Sequence, residues 1–79
     1  MKLTFDPSAN VAYIRLRERA GEVESVRVSD ELVIDLDSEG RIYGIELLNA
    51  NEQLRAADAG KLIVEGAASG ARQVIELAK

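Results

Sequence analysis

The sequence predicts a small α+β protein, in which an antiparallel β-meander of about five strands is followed by one or two C-terminal helices. Up to residue 48, apolar and polar residues alternate in short stretches, which is the period of strands with one buried face. Turn residues separate these stretches at short intervals, as they do between neighbouring antiparallel strands. After residue 48 the alternation stops and helix-forming residues dominate, which favours helices in the C-terminal part.

The stretch Asp30 to Ala50 has the clearest pattern, two strands joined by a tight turn. Gly40 stands where a three-residue connection needs a left-handed backbone, which glycine adopts at least cost. If Asp37 pairs with Arg41, the register of the whole hairpin follows. The predicted partners are Leu36 with Ile42, Ile34 with Gly44, and Val33 with Ile45.

Earlier strands are predicted over Lys2 to Phe5, Val11 to Arg17 and Val23 to Val28. The dipeptide Asp6-Pro7 ends the first of them. Pro7 lacks a backbone donor, and the Asp6 side chain is expected to cap the turn.

The C-terminal part begins with Asn49, which we interpret as the N-cap of a helix that includes Gln53 to Ala59. Lys61 to Glu65 is a short buried-strand candidate. Apolar residues in Ala71 to Lys79 recur at helical spacing and predict a last helix. A final strand over Gln73 to Leu77 is the alternative.

The length of 79 residues allows one domain, residues 1–79, with a thin core that dimerisation would supplement. The chain has no cysteine and no histidine, which excludes disulfides and the usual nucleophile–histidine catalysis. Its net charge of −4 disfavours non-specific binding to nucleic acid. Neither a signal peptide nor a membrane span is apparent, so a cytoplasmic protein without cofactors is expected.

Asp35, Asp37 and Glu46 form the main acidic cluster. Two carboxylates on one strand face are a candidate site for Mg²⁺ or Ca²⁺, or an acid–base pair. The alternative is a solvated strand face on which Asp37 pairs with Arg41.

An aromatic side chain accompanies arginines on neighbouring predicted strands. Tyr13, Arg15, Arg17 and Arg27 together could form a platform for an anion or for single-stranded RNA. The alternative is that the arginine stems cover apolar surface while their charged ends pair with glutamates such as Glu22 or Glu24.

The predicted central hairpin is apolar on both faces. On the face opposite Leu36 the register places Val33, Tyr43, Ile45 and Leu47, and this second face needs a cover. The cover is either the chain's own C-terminal segments or a subunit interface, and these four residues are the candidate interface.

An ordered set of motifs resembles the small prokaryotic domain-of-unknown-function family 2283, over about residues 2–50. The motifs are Phe5-Asp6-Pro7, Ala12 to Leu16, Val33 to Asp37, and Gly40 to Leu48. The resemblance implies a compact β-rich fold without an assigned activity, and residues 51–79 are then a C-terminal extension. Members also resemble short proteins found beside toxin-like partners in bacterial gene pairs.

The function predicted from these features is a non-enzymatic protein-interaction module, a homodimer and the partner of a toxin-like protein. The alternative is a small metal-binding, ligand-binding or hydrolytic protein that uses Asp35, Asp37 and Glu46. Arginine contacts to these acids would favour the module, and a shared concavity would favour the ligand-binding alternative.

Overall fold

The computed structural model describes residues 1–18 and 21–77 of the chain. Within them, five strands form one antiparallel sheet and two more form a separate hairpin. The strands are β1 (Lys2–Asp6), β2 (Val11–Arg15), β3 (Glu24–Ser29), β4 (Leu32–Leu36), β5 (Ile42–Leu48), β6 (Lys61–Glu65) and β7 (Arg72–Glu76). A short helix, α1 (Ala50–Gln53), and a 3-10 turn (Asp58–Gly60) lie between the two sheets in sequence. The antiparallel five-stranded sheet is confirmed, but the described part is mostly sheet, so the predicted α+β class overstated its helices.

The strand order of the large sheet is β1-β2-β5-β4-β3. Strands joined by tight turns are neighbours, as predicted, but β2 pairs with β5 instead of β3. The simple meander is therefore wrong at one connection. The β3–β4–β5 unit turns back so that β5 lies beside β2, which leaves β1 and β3 at the edges of the sheet.

The turn after β1 is capped by Asp6, as the sequence predicts. Its carboxylate accepts hydrogen bonds from the backbone N–H groups of Ser8 and Ala9, at 3.0 and 3.2 Å. It also accepts one from the Ser8 hydroxyl at 2.7 Å. These bonds, the one from the Ser8 hydroxyl first, lower the pKa of Asp6 below its ordinary value.

The turn of the central hairpin forms as predicted. The Asp37 N–H donates to the Arg41 carbonyl at 2.8 Å, and the Gly40 N–H donates to the Asp37 carbonyl at 3.0 Å. Gly40 has a φ of 79°, in the left-handed region. A Cβ added at this position would meet nothing within 4 Å, so only the backbone conformation requires glycine.

We expect Gly40→Val to lower the free energy of unfolding by about 1–2 kcal/mol, because a β-branched residue is strained in the left-handed region. Gly40→Asn should cost less, since asparagine tolerates this conformation. Chemical denaturation of the three proteins checks the ranking. Equal stability of the valine variant and the wild type would contradict the turn assignment.

A β-bulge shifts the central register one residue beyond the predicted one. Leu36 pairs with Ile42 as expected, but Asp35 pairs with Gly44 and Ile34 pairs with Ile45. The predicted pairs of Ile34 with Gly44 and of Val33 with Ile45 are therefore wrong. The extra residue is Tyr43, whose carbonyl instead accepts a hydrogen bond from the Leu16 N–H at 2.8 Å.

The C-terminal residues form a hairpin where the sequence pattern favoured a last helix. β7 pairs with β6, and the Leu62–Ile75 and Ile63–Val74 pairs lie at its centre. The strand over Lys61 to Glu65 and the alternative of a final strand are confirmed, but β6 is mostly exposed and not buried as predicted. The helix over residues 71–79 is wrong for its described part, 71–77. β-Branched side chains at the centre of β7 favour a strand once β6 is available as a partner.

The predicted helix over Gln53 to Ala59 is wrong for every residue except Gln53, because α1 ends there and only a 3-10 turn follows at Asp58–Gly60. Asn49 occupies the N-cap position of α1, as predicted, but it has a left-handed φ of 54° and its side chain makes no capping hydrogen bond. The Asn10 side chain takes this role from the β1–β2 turn, and it accepts the Asn51 N–H at 2.8 Å. Ala50 is fully buried at this corner.

The molecule is extended for its size. Its radius of gyration is 14.0 Å, whereas a compact chain of this length has about 11.6 Å. Its accessible surface is 5666 Å², against about 4,700 Å² for a compact monomer of its mass. The described chain therefore exposes about 1,000 Å² more than a well-packed monomer would.

Candidate functional site

The large sheet has one apolar face, and cross-strand pairing defines it because direct partners point to the same side. One row of partners is Phe5, Ala12, Leu47 and Leu32, and the next is Leu3, Ile14, Ile45, Ile34 and Val26. The pair of Leu36 and Ile42 continues the same face. We call these eleven residues the apolar face.

The apolar face is poorly covered. Among its residues only Ala12 is buried, and in the described part of the chain no large side chain is fully buried. Val26 and Ile42 remain 41% and 38% exposed. The other eight residues are half-buried, so the face is only partly shielded from solvent.

The bulge at Tyr43 concentrates apolar residues on this single face. It places Ile42 and Ile45, three positions apart, on the same side of the sheet, where regular alternation would separate them. Val33 pairs with Glu46 and thus lies on the opposite side. The four candidate interface residues do not share one face: Ile45 and Leu47 belong to the apolar face, and Val33 does not.

The opposite face contains a polar bridge across several strands. The Tyr13 hydroxyl donates to Asp35 Oδ2 at 2.6 Å, and the Ser25 hydroxyl donates to Asp35 Oδ1 at 2.6 Å. Tyr13 lies on β2, Asp35 on β4 and Ser25 on β3, so the bridge spans the sheet from β2 to its β3 edge. Short hydrogen bonds to a carboxylate are stronger than those between neutral groups.

Gly44 makes the bridge possible. It lies on β5 between β2 and β4, and the end of the Tyr13 ring passes over it. A Cβ at position 44 would lie no more than 2.7 Å from three atoms of Tyr13. The glycine therefore provides the space through which Tyr13 reaches Asp35 on the next strand.

Tyr13 is held in its protonated state by this environment. Burial raises its pKa well above the ordinary value, and the hydrogen bond and the negative charge of Asp35 raise it further, with smaller contributions from Tyr43 and Glu46. The hydroxyl is consequently a hydrogen-bond donor throughout the physiological range and is not a general base. The bridge therefore cross-links β2, β4 and β3 through the Asp35 carboxylate.

The raised pKa predicts a pH dependence. Protonated Tyr13 stabilises the fold fully below pH about 10, the unfolded value, and this stabilisation is lost as the pH rises further. In the Tyr43→Phe background, which leaves Tyr13 as the one tyrosine, ultraviolet titration should give a midpoint well above 10. Asp35→Asn should lower that midpoint without bringing it fully to 10, since burial remains. A Tyr13 midpoint near 10 in the Tyr43→Phe protein would contradict the buried hydrogen bond.

The acidic residues proposed as metal ligands are used separately. Asp37 Oδ1 accepts the N–H groups of Glu39 and Arg41, both at 2.9 Å, and Asp37 Oδ2 pairs with Arg41 Nε at 2.9 Å. These contacts, with the Arg41 N–H first, lower the pKa of Asp37. Within residues 1–18 and 21–77, no group of three acidic, histidine or cysteine side chains is arranged to hold a metal ion. Asp35, Asp37 and Glu46 therefore do not form a shared ligand set.

The arginines of the predicted anion platform contact neighbouring groups of the chain. Arg15 pairs with Glu18 at 3.3 Å, Arg17 Nε donates to the Ile42 carbonyl at 3.1 Å, and Arg27 Nη1 donates to the Ser29 carbonyl at 3.0 Å. Their partners are thus local and differ from the predicted Glu22 and Glu24. These contacts disperse the positive charge and do not build a common anion site.

Sequence reasoning missed Ser25 and the role of Gly44. A glycine inside a strand indicates a bulge or the close approach of another group, and Gly44 inside its strand was such an indication. Ser25 carried no comparable signal, because a serine on an edge strand is ordinary surface.

Within the described residues, no helix has the length and apolar character needed to cross a membrane.

Comparison with known proteins identifies a family and gives no more specific match. Neither a curated protein nor a solved structure matches the chain significantly. A family model described as protein of unknown function (DUF2283) matches residues 2–51. The match covers more than half of the chain and includes all five strands of the large sheet, so this chain belongs to the DUF2283 family of proteins of unknown function.

Proposed function

We propose that this protein is a non-enzymatic interaction module that works as a homodimer, with the apolar face as its contact surface. The observation that carries the proposal is the incomplete cover of this face: of its eleven residues only Ala12 is buried, eight are half-buried, and Val26 and Ile42 are exposed. A second copy presents the same self-complementary aliphatic surface, as a two-fold interface requires.

The surface area fits such an interface. Over its whole surface, the C-terminal hairpin included, each copy exposes about 1,000 Å² more than a compact monomer of its size, so about 2,000 Å² is the upper limit that two copies would bury by covering it. Stable protein interfaces bury about 1,200–2,000 Å² in total. Two sheets stacked face to face would form an aliphatic core of the kind found in β-sandwiches.

Pairing through the edges of the sheet is less favourable than packing through its face. β3 is exposed along its whole length, but its pairing with β4 is irregular between Arg27 and Ser29. Bulges and charged side chains on an edge strand hinder its pairing with another chain. Ile45 and Leu47 therefore remain interface residues in this proposal, whereas Val33 is placed outside the contact.

Light scattering from micromolar to millimolar concentration tests the proposal. At the higher concentrations we expect the measured mass to be twice the 8.6 kDa of the single chain. A chain that stays monomeric throughout would overturn the homodimer. The apolar face would then have a different occupant, such as the toxin-like protein that the family resemblance implies.

A further inference from the structure

The C-terminal hairpin of β6, β7 and their turn, which we call the arm, cannot be stable alone. A two-stranded hairpin is at best marginally stable in water. Leu62, Val64, Val74 and Ile75 of the arm are 39–51% exposed. The arm therefore needs a surface to pack on, and its own sheet supplies one only in part.

The contact between the arm and its own β1 is loose. Leu3 and Phe5 of β1 line a groove of about 350 Å³ together with Leu62, Ile75 and Glu76 of the arm and with Leu77, which follows it. Leu62 and Ile75 are still 39% and 41% exposed beside this groove. Apart from Glu76, the residues that line the groove are aliphatic or aromatic, so the two sides are chemically compatible although they are not closely packed.

The connection that leads to the arm is strained. Asp58, Ala59 and Gly60 follow one another with φ values of 56°, 53° and 76°. Residues with a Cβ rarely adopt this conformation, and two of them in succession are unfavourable. If it were extended, the connection over residues 54–60 would span about 24 Å, more than the width of about 19 Å across five strands.

From these observations we infer that, in the homodimer proposed above, each arm packs on β1 of the other copy. The inference rests on that proposed function. The family match ends at residue 51, before the arm begins, so the arm is an addition to a module that already has an apolar face. Exchange of arms would bury Leu62 and Ile75 against Leu3 and Phe5 of the second copy and would let the strained connection open.

Disulfide trapping tests the exchange, because the chain has no native cysteine. A chain with both Leu3→Cys and Ile75→Cys is oxidised under native conditions at a concentration where light scattering gives the dimer, and it is then analysed without reductant. We expect a covalent dimer as the main product. The matched control joins Leu3→Cys to Val74→Cys, because Val74 lies on the other side of the arm from Ile75. This control should cross-link several-fold less.

The outcomes separate this inference from the proposed function. A dimer by light scattering with a disulfide inside one chain would overturn the exchange and leave the homodimer intact. Equal cross-linking in the two cysteine pairs, or none in either, would also overturn the exchange. A monomer at every concentration would overturn the homodimer itself, and the exchange with it.

A second measurement avoids cysteines. The variants Phe5→Ser and Ile75→Ser each impair one side of the contact, and they are melted separately and after mixing. In an exchanged dimer the mixture contains one intact contact, between the arm of the Phe5→Ser copy and the β1 strand of the Ile75→Ser copy. The mixture should then melt at a higher temperature than either variant alone. Melting of the mixture as the average of the two would overturn the exchange.

Discussion

Gly44→Ala should lower the free energy of unfolding by about 3 kcal/mol, a large effect for a single methyl group on a partly exposed strand. The added Cβ would lie within 2.7 Å of the end of the Tyr13 ring, so the ring must move. Movement of the ring breaks the 2.6 Å hydrogen bond to Asp35 and leaves a carboxylate oxygen without its donor. Denaturant unfolding of wild type and variant measures the loss.

A double-mutant cycle isolates the cause. In the Tyr13→Ala background the space above Gly44 is empty, so the same Gly44→Ala change should cost less than about 1 kcal/mol. Gly21→Ala is a useful comparison, since Gly21 has a positive φ of 91° but nothing within 4 Å of an added Cβ. If Gly44→Ala is equally costly with and without Tyr13, the close approach of the ring is not the reason.

Ile45→Asp should either separate the proposed homodimer into monomers or unfold the protein. Ile45 lies in the middle row of the apolar face, between Ile14 and Ile34. A carboxylate enclosed there by a second copy would have no partner, at a cost of several kcal/mol. Light scattering together with circular dichroism distinguishes a folded monomer from an unfolded chain.

A pair of uncharged substitutions tests whether the apolar face, and not the opposite face, is the contact surface. Ile45→Asn and Val33→Asn introduce the same side chain on adjacent strands but on opposite faces, since Val33 pairs with Glu46. We expect Ile45→Asn to raise the dissociation constant of the dimer by about tenfold or more, because it removes apolar contact from the interface. Val33→Asn should leave the dissociation constant unchanged. Equal effects of the two variants would mean that the apolar face is not the contact surface.

The register of the central hairpin depends partly on residues that are neighbours in sequence and partly on residues that are distant in sequence. The turn at Gly40 and the pair of Leu36 with Ile42 followed from local pattern, because turn chemistry and alternation act over a few residues. The bulge at Tyr43 did not, since it is stabilised by a hydrogen bond from Leu16 on a different hairpin. One extra residue exchanges the faces of everything after it, so the predicted two-sided apolar hairpin became a one-sided sheet.

The candidate site shows the same division. The sequence analysis placed Tyr13 in a predicted anion platform and Asp35 in a predicted acidic cluster, and it did not connect the two residues. Their actual relation is a bridge that passes over Gly44, and it depends on β5 lying between β2 and β4. No local pattern encodes that neighbourhood, because β2 and β5 are far apart along the chain.

By itself the sequence determined the β-rich character, the positions of the first six strands, the turns at Asp6 and Gly40, and the family, since each depends on neighbouring residues. Only the tertiary structure decided the strand order, the single apolar face and the arm. The helical spacing over residues 71–79 was real, yet β7 forms there because β6 is available as a strand partner. Pairing energy between segments distant in sequence outweighs a weak local preference, and that energy is not visible in either segment alone.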